Sequence, residues 1–345
     1  MTAAPPGDRK PTRHDVAVLA GVSDAVVSYT LNGGAPVATE TAARVRAAVA
    51  ALGYRPNRAA TALRSGSTHA LALIAPTVDT PEPVSANPFF TEFFNAIEVA
   101  ARDRGYALYT ATAAELGPAG VLSYAKDFAS RQVDGILILT DWPENQAALD
   151  QLHVPWIQLN ASAAVPNAPS LGPDLYGGAF AVTEHLISHG HRRVGFLGEW
   201  PEPRHQGWLD ACAQYGVEPG VAVQAEYGRL GGYLAGQEFV AHPDRPTAVF
   251  AASDLIAFGA LRAFHESGVA TPGELAIASL DGTVDGEYYW PRLTSFRQPI
   301  EAMAEAAVQG VLNTDEPHRH QIFTGTLVVR DSCGQHDATG AAIVM

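Results

Sequence analysis

A small all-α head followed by an α/β body of two doubly wound parallel sheets is the fold class this sequence predicts. Residues 12–34 read as two short helices joined by a tight turn, the helix-turn-helix pattern. From residue 71 onward, short apolar runs alternate with helical patterns in two separate series. The charge also divides. Residues 1–68 hold eight Lys and Arg against four Asp and Glu, while the rest holds 14 against 32, within a formal net charge of −14. A basic head on an acidic body localises a nucleic-acid surface to the head, because phosphate repels the body.

Residues 1–10 are expected to be a disordered lead-in, and residues 11–56 a DNA-binding headpiece. Thr12 caps the first helix, with Asp15 answering as in a capping box. Val16, Leu19 and Ala20 form its apolar stripe, and Gly21 ends it. Ser23 caps the second helix, which buries Val27, Thr30 and Leu31 and turns Asp24, Ala25, Ser28 and Tyr29 outward until Asn32. Small polar groups on the outer face suit a helix laid in a major groove. A third helix, capped by Thr39 or Thr41, runs through Arg44, Val45, Arg46, Val49 and Leu52 to Gly53. Val45, Val49 and Leu52 close a mini-core over the first two.

Tyr54-Arg55-Pro56 is an extended tether, since the residue before proline avoids helix. Asn57 caps Arg58–Arg64, a hinge segment within 57–67 that is shorter than the roughly 12–15 residues an isolated helix needs in water. The segment is expected to fold on DNA. Leu63 then serves as a minor-groove wedge, with Arg58 and Arg64 on phosphates.

In the body, strands are expected at 71–75, 106–112, 133–139, 155–160, 194–197, 221–225, 248–251 and 275–280. Helices are expected at 87–105, 118–131, 144–152, 177–189, 208–215, 232–241 and 255–267. Ligands of open α/β sheets bind beyond the carboxyl ends of strands. The residues there are Thr140, Asp141 and Trp142, Asn160, Glu199 through Arg204, Tyr227, Ser253 and Asp254, and Asp281, with Gln298 from the segment linking the lobes. Carboxylates and amides share hydrogen bonds with hydroxyls, and aromatic rings cover apolar ring faces, so the set suits a sugar or polyol. For Ser253 and Asp254 the alternative is capping of the next helix.

The enzyme class lacks its motifs: no G-x-G-x-x-G follows the first strand, and no P-loop, G-x-S-x-G elbow or metal-spaced His cluster is found. No cofactor or metal is expected. His185, His189 and His191 fall at a helix end and turn, and Cys212 and Cys333 show no metal spacing. The N-terminus lacks an apolar signal core, and no stretch approaches the roughly 20 apolar residues of a membrane span, so a cytoplasmic protein without membrane partners is expected. A free-standing solute-binding protein would need such a signal and would lack the basic head.

DVAVLAGVSDAVVSYTLNGG (15–34) followed by RVRAAVAALGYRPNRAATALRSG (44–66) resembles the headpiece and hinge of the lactose-repressor (LacI/GalR) family of bacterial transcription factors. The resemblance continues through NPFF (87–90), VDGILIL (133–139), HLISHGHRRVGFLG (185–198), PTAVFAASDLIAFGALRA (246–263) and RLTSFRQP (292–299). It implies a periplasmic-binding-protein-like body over 68–332 with an effector in the cleft. One lobe comprises about 69–161 and 296–324, the other about 162–295 and 325–332, with 333–345 a tail. It implies a homodimeric repressor on a pseudo-palindromic operator, controlled by a sugar or polyol, with a purine as the alternative. The implied DNA contacts are Thr12, Arg13, His14, Ser23, Asp24, Ala25, Ser28, Tyr29, Asn32, Arg55, Asn57, Arg58, Ala60, Leu63 and Arg64. The implied effector contacts are Phe89 at the cleft mouth, Trp142, Asn160, Arg204 of the family's R-x-x-G-F pattern, Tyr227, Ser253, Asp254, Asp281 and Gln298.

Two departures matter. The family carries arginine at Tyr29 and threonine at Val26, so no cation faces a guanine edge. An operator differing at the base opposite Tyr29 is expected. Ser253 also stands where the family has asparagine, removing an amide from the cleft.

Overall fold

The computed structural model describes residues 10–32, 35–55, 67–76, 86–113, 118–131, 133–139, 146–161, 169–313 and 320–334. The chain divides into two compact units, Met1–Thr68 and His69–Met345. The expected hinge contacts Asn57, Arg58, Ala60, Leu63 and Arg64 lie outside the described residues, as do Thr140, Asp141 and Trp142.

In the first unit, α1 (Arg13–Ala20) begins with the expected capping box and ends at left-handed Gly21. The Thr12 amide donates to Asp15 at 2.7 Å, and the Asp15 amide donates to Thr12 Oγ1 at 3.3 Å. α2 (Asp24–Asn32) follows Ser23, whose hydroxyl accepts from the Val26 amide at 3.4 Å. α3 spans Thr39–Leu52 and ends at left-handed Gly53. The cap of α3 corrects the sequence reading: Ala38 occupies it without a side-chain hydrogen bond, and Thr39 is already helical. Val16, Ala17, Ala20, Val27, Val45 and Ala48 form the core, edged by Leu31, Val49 and Leu52. Leu19, expected in the apolar stripe, is 55% exposed. Ala17 takes its place, buried in the core with Val45 and Ala48 of α3.

Among the described residues the second unit holds two six-stranded sheets. In the first, β1 (Ala70–Pro76) lies next to the edge strand β2 (Ala107–Ala113), with β3 (Gly135–Leu139), β4 (Trp156–Leu159), β5 (Ser170–Pro173) and β11 (His320–Phe323) following on the other side, all parallel. α4 (Pro88–Asp103), opened by an Asn87 cap, packs on one face together with α11 (Ile300–Leu312), through Phe93, Ile97, Met303 and Val308. α5 (Pro118–Ser130) covers the other face, and the short α6 (Gln146–Asp150) adds Leu149 there.

The second sheet runs β12-β10-β9-β8-β6-β7: β6 (Arg193–Gly198), β7 (Glu218–Gln224), β8 (Ala248–Ala251), β9 (Ala276–Asp281), β10 (Thr294–Arg297) and β12 (Thr326–Val328). Only β12 is antiparallel. α7 (Leu175–Ser188), α8 (Pro203–Gln214), α9 (Arg229–Ala241) and α10 (Asp254–Glu266) surround it. α11 packs on the first sheet, and β12 pairs with β10 in the second.

The lobe boundary is not where the sequence placed it. β5 pairs with β4 and β11 in the first sheet, so the chain leaves the first lobe after Pro173 rather than at 161. β10 belongs to the second sheet, so the return follows Arg297. β5, β10 and β11 are short strands, and Gly172 and Pro173 interrupt the apolar signal of β5. The expected tail is also shorter, since Cys333 is buried against the second lobe.

Candidate functional site

On the head, the outward residues of α2 and the start of α1 share one arrangement. His14 Nδ1 lies 3.1 Å from Asp24, and Arg13 Nε lies 3.8 Å from the same carboxylate. Exposed pairs of this kind contribute at most about 1 kcal/mol; their consequence is that Asp24 is already engaged from α1. Thr12, Ser23, Ala25, Tyr29 and Arg55 are exposed, and Ser28 is half-buried. Asn32 closes α2, its side chain outside the described residues.

In the body, the second lobe collects a polar set at the carboxyl end of its sheet. Arg204, on the first turn of α8, donates from Nη1 to Glu202 at 2.8 Å and to the Tyr227 hydroxyl at 2.7 Å. That hydroxyl donates to the other Glu202 oxygen at 2.8 Å. Gly207 makes this placement possible: a Cβ there would stand 2.4 Å from the Tyr176 carbonyl, so glycine lets α8 press against α7. Burial opposes the charge on Arg204, but Tyr227, Glu202 and Asp281 outweigh it and push its pKa up. Burial also raises the Tyr227 hydroxyl, with Arg204 opposing. Glu199 is raised by burial and by Glu202 and Glu226.

Asp281 ends β9 with φ 129°, an unusual conformation for a residue other than glycine. It accepts from Gln298 Nε2 at 2.8 Å and from the Asp254 amide at 3.3 Å. Burial, then the Asp254 carboxylate, hold its pKa well above the usual carboxylate range, against the pull of Arg204. Arg204 Nε and Gln298 Oε1 are buried with no hydrogen-bond partner among the described residues.

Ser253 takes the capping alternative weighed for the pair, while Asp254 is held in a buried network instead. Asp254 accepts from Ser279 and Ser295 at 2.6 Å and from the Thr283 amide and hydroxyl at 2.7 Å, which fills its carboxylate. Ser253 caps α10 through the Ile256 amide at 3.2 Å. Phe89 is a correction: it is 5% exposed and packs on Phe93 and Phe90 within the first-lobe core, because its position in α4 faces the sheet. Asn160 follows β4 with φ 57° and is half-buried.

The sequence reading missed the contacts joining the lobes. Glu92 of α4 accepts from the Val284 amide at 2.9 Å, at the start of a 3-10 turn (Val284–Glu287). Arg229 donates across to the Ala86 carbonyl at 3.3 Å and, within its own lobe, lies 3.8 Å from Asp285. No local pattern announces these residues, because each pairs across more than 50 positions or as an ordinary surface charge.

The family model described as "Bacterial regulatory proteins, lacI family" matches residues 12–57, and that of a "Periplasmic binding protein-like domain" matches 183–333. The HTH-type transcriptional repressor PurR of Serratia proteamaculans (strain 568) is 30% identical over 313 residues, covering 88% of this chain and 89% of the relative. Among solved structures, the lac repressor dimer bound to operator and the anti-inducer ONPF superposes with a TM-score of 0.81 at 23% identity, over 95% of this chain and 100% of that one. The complex of the transcriptional regulator CelR with cellobiose superposes at 0.68 and 28% identity, over 93% and 99%.

Proposed function

The chain belongs to the lacI family of bacterial regulatory proteins, a DNA-binding transcriptional repressor with an effector-binding domain and not an enzyme, and on that premise we propose that its effector is a sugar or polyol. The observation that carries this reading is the polar set of the second lobe. Arg204 Nε offers an unused donor and Gln298 Oε1 an unused acceptor, beside the carboxyl of Asp281. A hydroxyl is both donor and acceptor, so neighbouring hydroxyls match such a mixed set. The cellobiose complex of CelR supports the same class. The second reading is a purine, favoured by the PurR name of the curated relative.

The effector contacts are Arg204, Tyr227, Asp281 and Gln298, with Asn160 from the first lobe. The DNA contacts are those of the helix-turn-helix, Thr12, Arg13, His14, Ser23, Asp24, Ala25, Ser28 and Tyr29, together with Arg55. The protein acts in the cytoplasm as a homodimer on a twofold operator; among the described residues no helix is long and apolar enough to cross a membrane. Effector and operator are linked through lobe closure, so each changes the other's affinity by the same factor.

A melting screen of the full chain against sugars, polyols, nucleobases and amino acids tests the effector class. A ligand at a hundred times its dissociation constant stabilises the fold by about 2.7 kcal/mol. A sugar or polyol hit is expected; a hit confined to nucleobases replaces the first reading with the second.

A further inference from the structure

We propose that His185, His189 and Cys333 form a binding site for one Zn2+ ion on the second lobe, independent of the effector cleft. Sequence spacing set these residues aside, because the cysteine lies 148 positions from the first histidine. The fold brings them together. His185 sits in the last turn of α7 and His189 is its C-terminal cap, four positions on and on the same face. Their ring centroids are 4.7 Å apart. Cys333, just beyond β12, is buried with its Sγ 3.2 Å from His185 Nε2. One ligand atom from each of the three residues lies within 4.8 Å of the other two. In a tetrahedral zinc site with Zn–S about 2.3 Å and Zn–N about 2.0 Å, ligand atoms stand about 3.5 Å apart, so small side-chain rotations close the set on an ion.

Three neighbouring features favour a cation held by a thiolate. The carboxyl end of a helix carries partial negative charge, and both histidines stand at that end of α7. Thr294 Oγ1 accepts from the Arg330 amide at 2.8 Å, which leaves its own proton for Cys333 Sγ at 2.9 Å. Such outer hydrogen bonds orient and stabilise metal-bound ligands. At Gly334, with φ 119°, an added Cβ would stand 3.1 Å from His189 Nδ1, so glycine keeps that ring edge open. Without an ion, burial pushes the Cys333 thiol up to about 11. Binding forms one Zn–S bond and releases the thiol proton to solvent. One soft sulfur with two imidazoles selects zinc over magnesium or calcium, and three protein ligands leave a fourth position for water. The ion would fasten the strap around Cys333 to α7.

The test is Co2+ titration of the metal-stripped full chain, followed by Zn2+ competition. One equivalent of Co2+ is expected to give a near-ultraviolet thiolate charge-transfer band with visible tetrahedral bands, both removed by Zn2+. Cys333→Ser should abolish the charge-transfer band and weaken Zn2+ binding by about 100-fold or more, beyond the 10–100-fold typical of an outer-shell change. His189→Gln, at a half-buried position, should keep the fold and weaken binding at least tenfold. Cys212→Ser should leave the titration unchanged. A folded wild-type chain with no charge-transfer band, or a band that survives Cys333→Ser, overturns the site; Co2+ binding without the band places the ion on other histidines and overturns it as well.

Discussion

The guanidinium carbon of Arg204 lies 5.2 Å from the centroid of the Tyr227 ring, while its Nη1 donates to the same residue's hydroxyl. With Glu202 accepting from both, the three side chains close a triangle that fixes the arginine before any ligand arrives. Holding a binding group in its final geometry removes ordering cost from association.

The first prediction concerns that arginine. Arg204→Ala should weaken binding of the effector found by the melting screen about 100-fold, near 2.7 kcal/mol. Arg204→Lys should rescue little of it, because an ammonium cannot reproduce the planar fork. Isothermal titration decides; an affinity within twofold of wild type for Arg204→Ala would remove it from the site.

Asp254 is expected to matter for stability instead. Asp254→Ala strands two serine hydroxyls and both donors of Thr283 in a buried setting. Such losses cost about 1–3 kcal/mol for each group left unsatisfied, so urea unfolding should show a loss of at least about 3 kcal/mol. A loss below 1 kcal/mol would contradict the network described.

For Asp281 the expected signature is pH dependence. Its folded pKa is raised, by burial and then by Asp254, so the native state keeps a proton that the unfolded chain has released. The contribution is present in full below the ordinary carboxylate pKa. It is lost as pH rises from there through the folded pKa. Asp281→Asn has no proton to lose, and its stability should decline less over that window. Parallel profiles for the two proteins would show that Asp281 does not titrate in this way.

The contacts between the lobes predict a shape change. Removing Glu92 and Arg229 side chains together (Glu92→Ala, Arg229→Ala) should enlarge the radius of gyration of the ligand-free protein in X-ray scattering. It should also reduce effector affinity about fivefold, the lower end of typical coupling. Unchanged scattering would mean that closure rests elsewhere.

On the head, selection from random DNA should recover an operator that lacks the family's guanine opposite Tyr29. Tyr29→Arg should restore preference for guanine there, through the bidentate contact worth about 1–3 kcal/mol of discrimination. Recovery of guanine by the unaltered protein refutes the reading.

Local chemistry was legible where one residue decides an outcome. The capping box of Thr12 and Asp15 and the left-handed stops at Gly21 and Gly53 stand as the sequence implied. Strand ends pointed to Arg204, Tyr227 and Asp281, and the linking segment to Gln298; the fold joins Arg204 to Tyr227 and Asp281 to Gln298 by hydrogen bonds. What failed was non-local. Phe89 is turned inward by the phase of a helix whose packing partner, α11, lies 200 residues on. β5 was missed because it is four residues long and its membership depends on pairing with β4 and β11. Ser253 and Asp254 had two readings from the start: Ser253 caps locally, through the Ile256 amide three residues on, whereas Asp254 is engaged by partners 25 to 41 residues away.

The order in which the chain visits the lobes also governs its synthesis. α11 and β11, which complete the first lobe, leave the ribosome after β6 to β10 of the second. Until then Phe93 and Ile97 lack the cover of Met303 and Val308. A nascent chain halted before residue 300 therefore exposes an apolar face on one lobe and lacks β12 on the other. The body is a late-committing folder, whose first lobe waits for α11 and β11, and a chain halted before them presents that apolar face to chaperones and proteases.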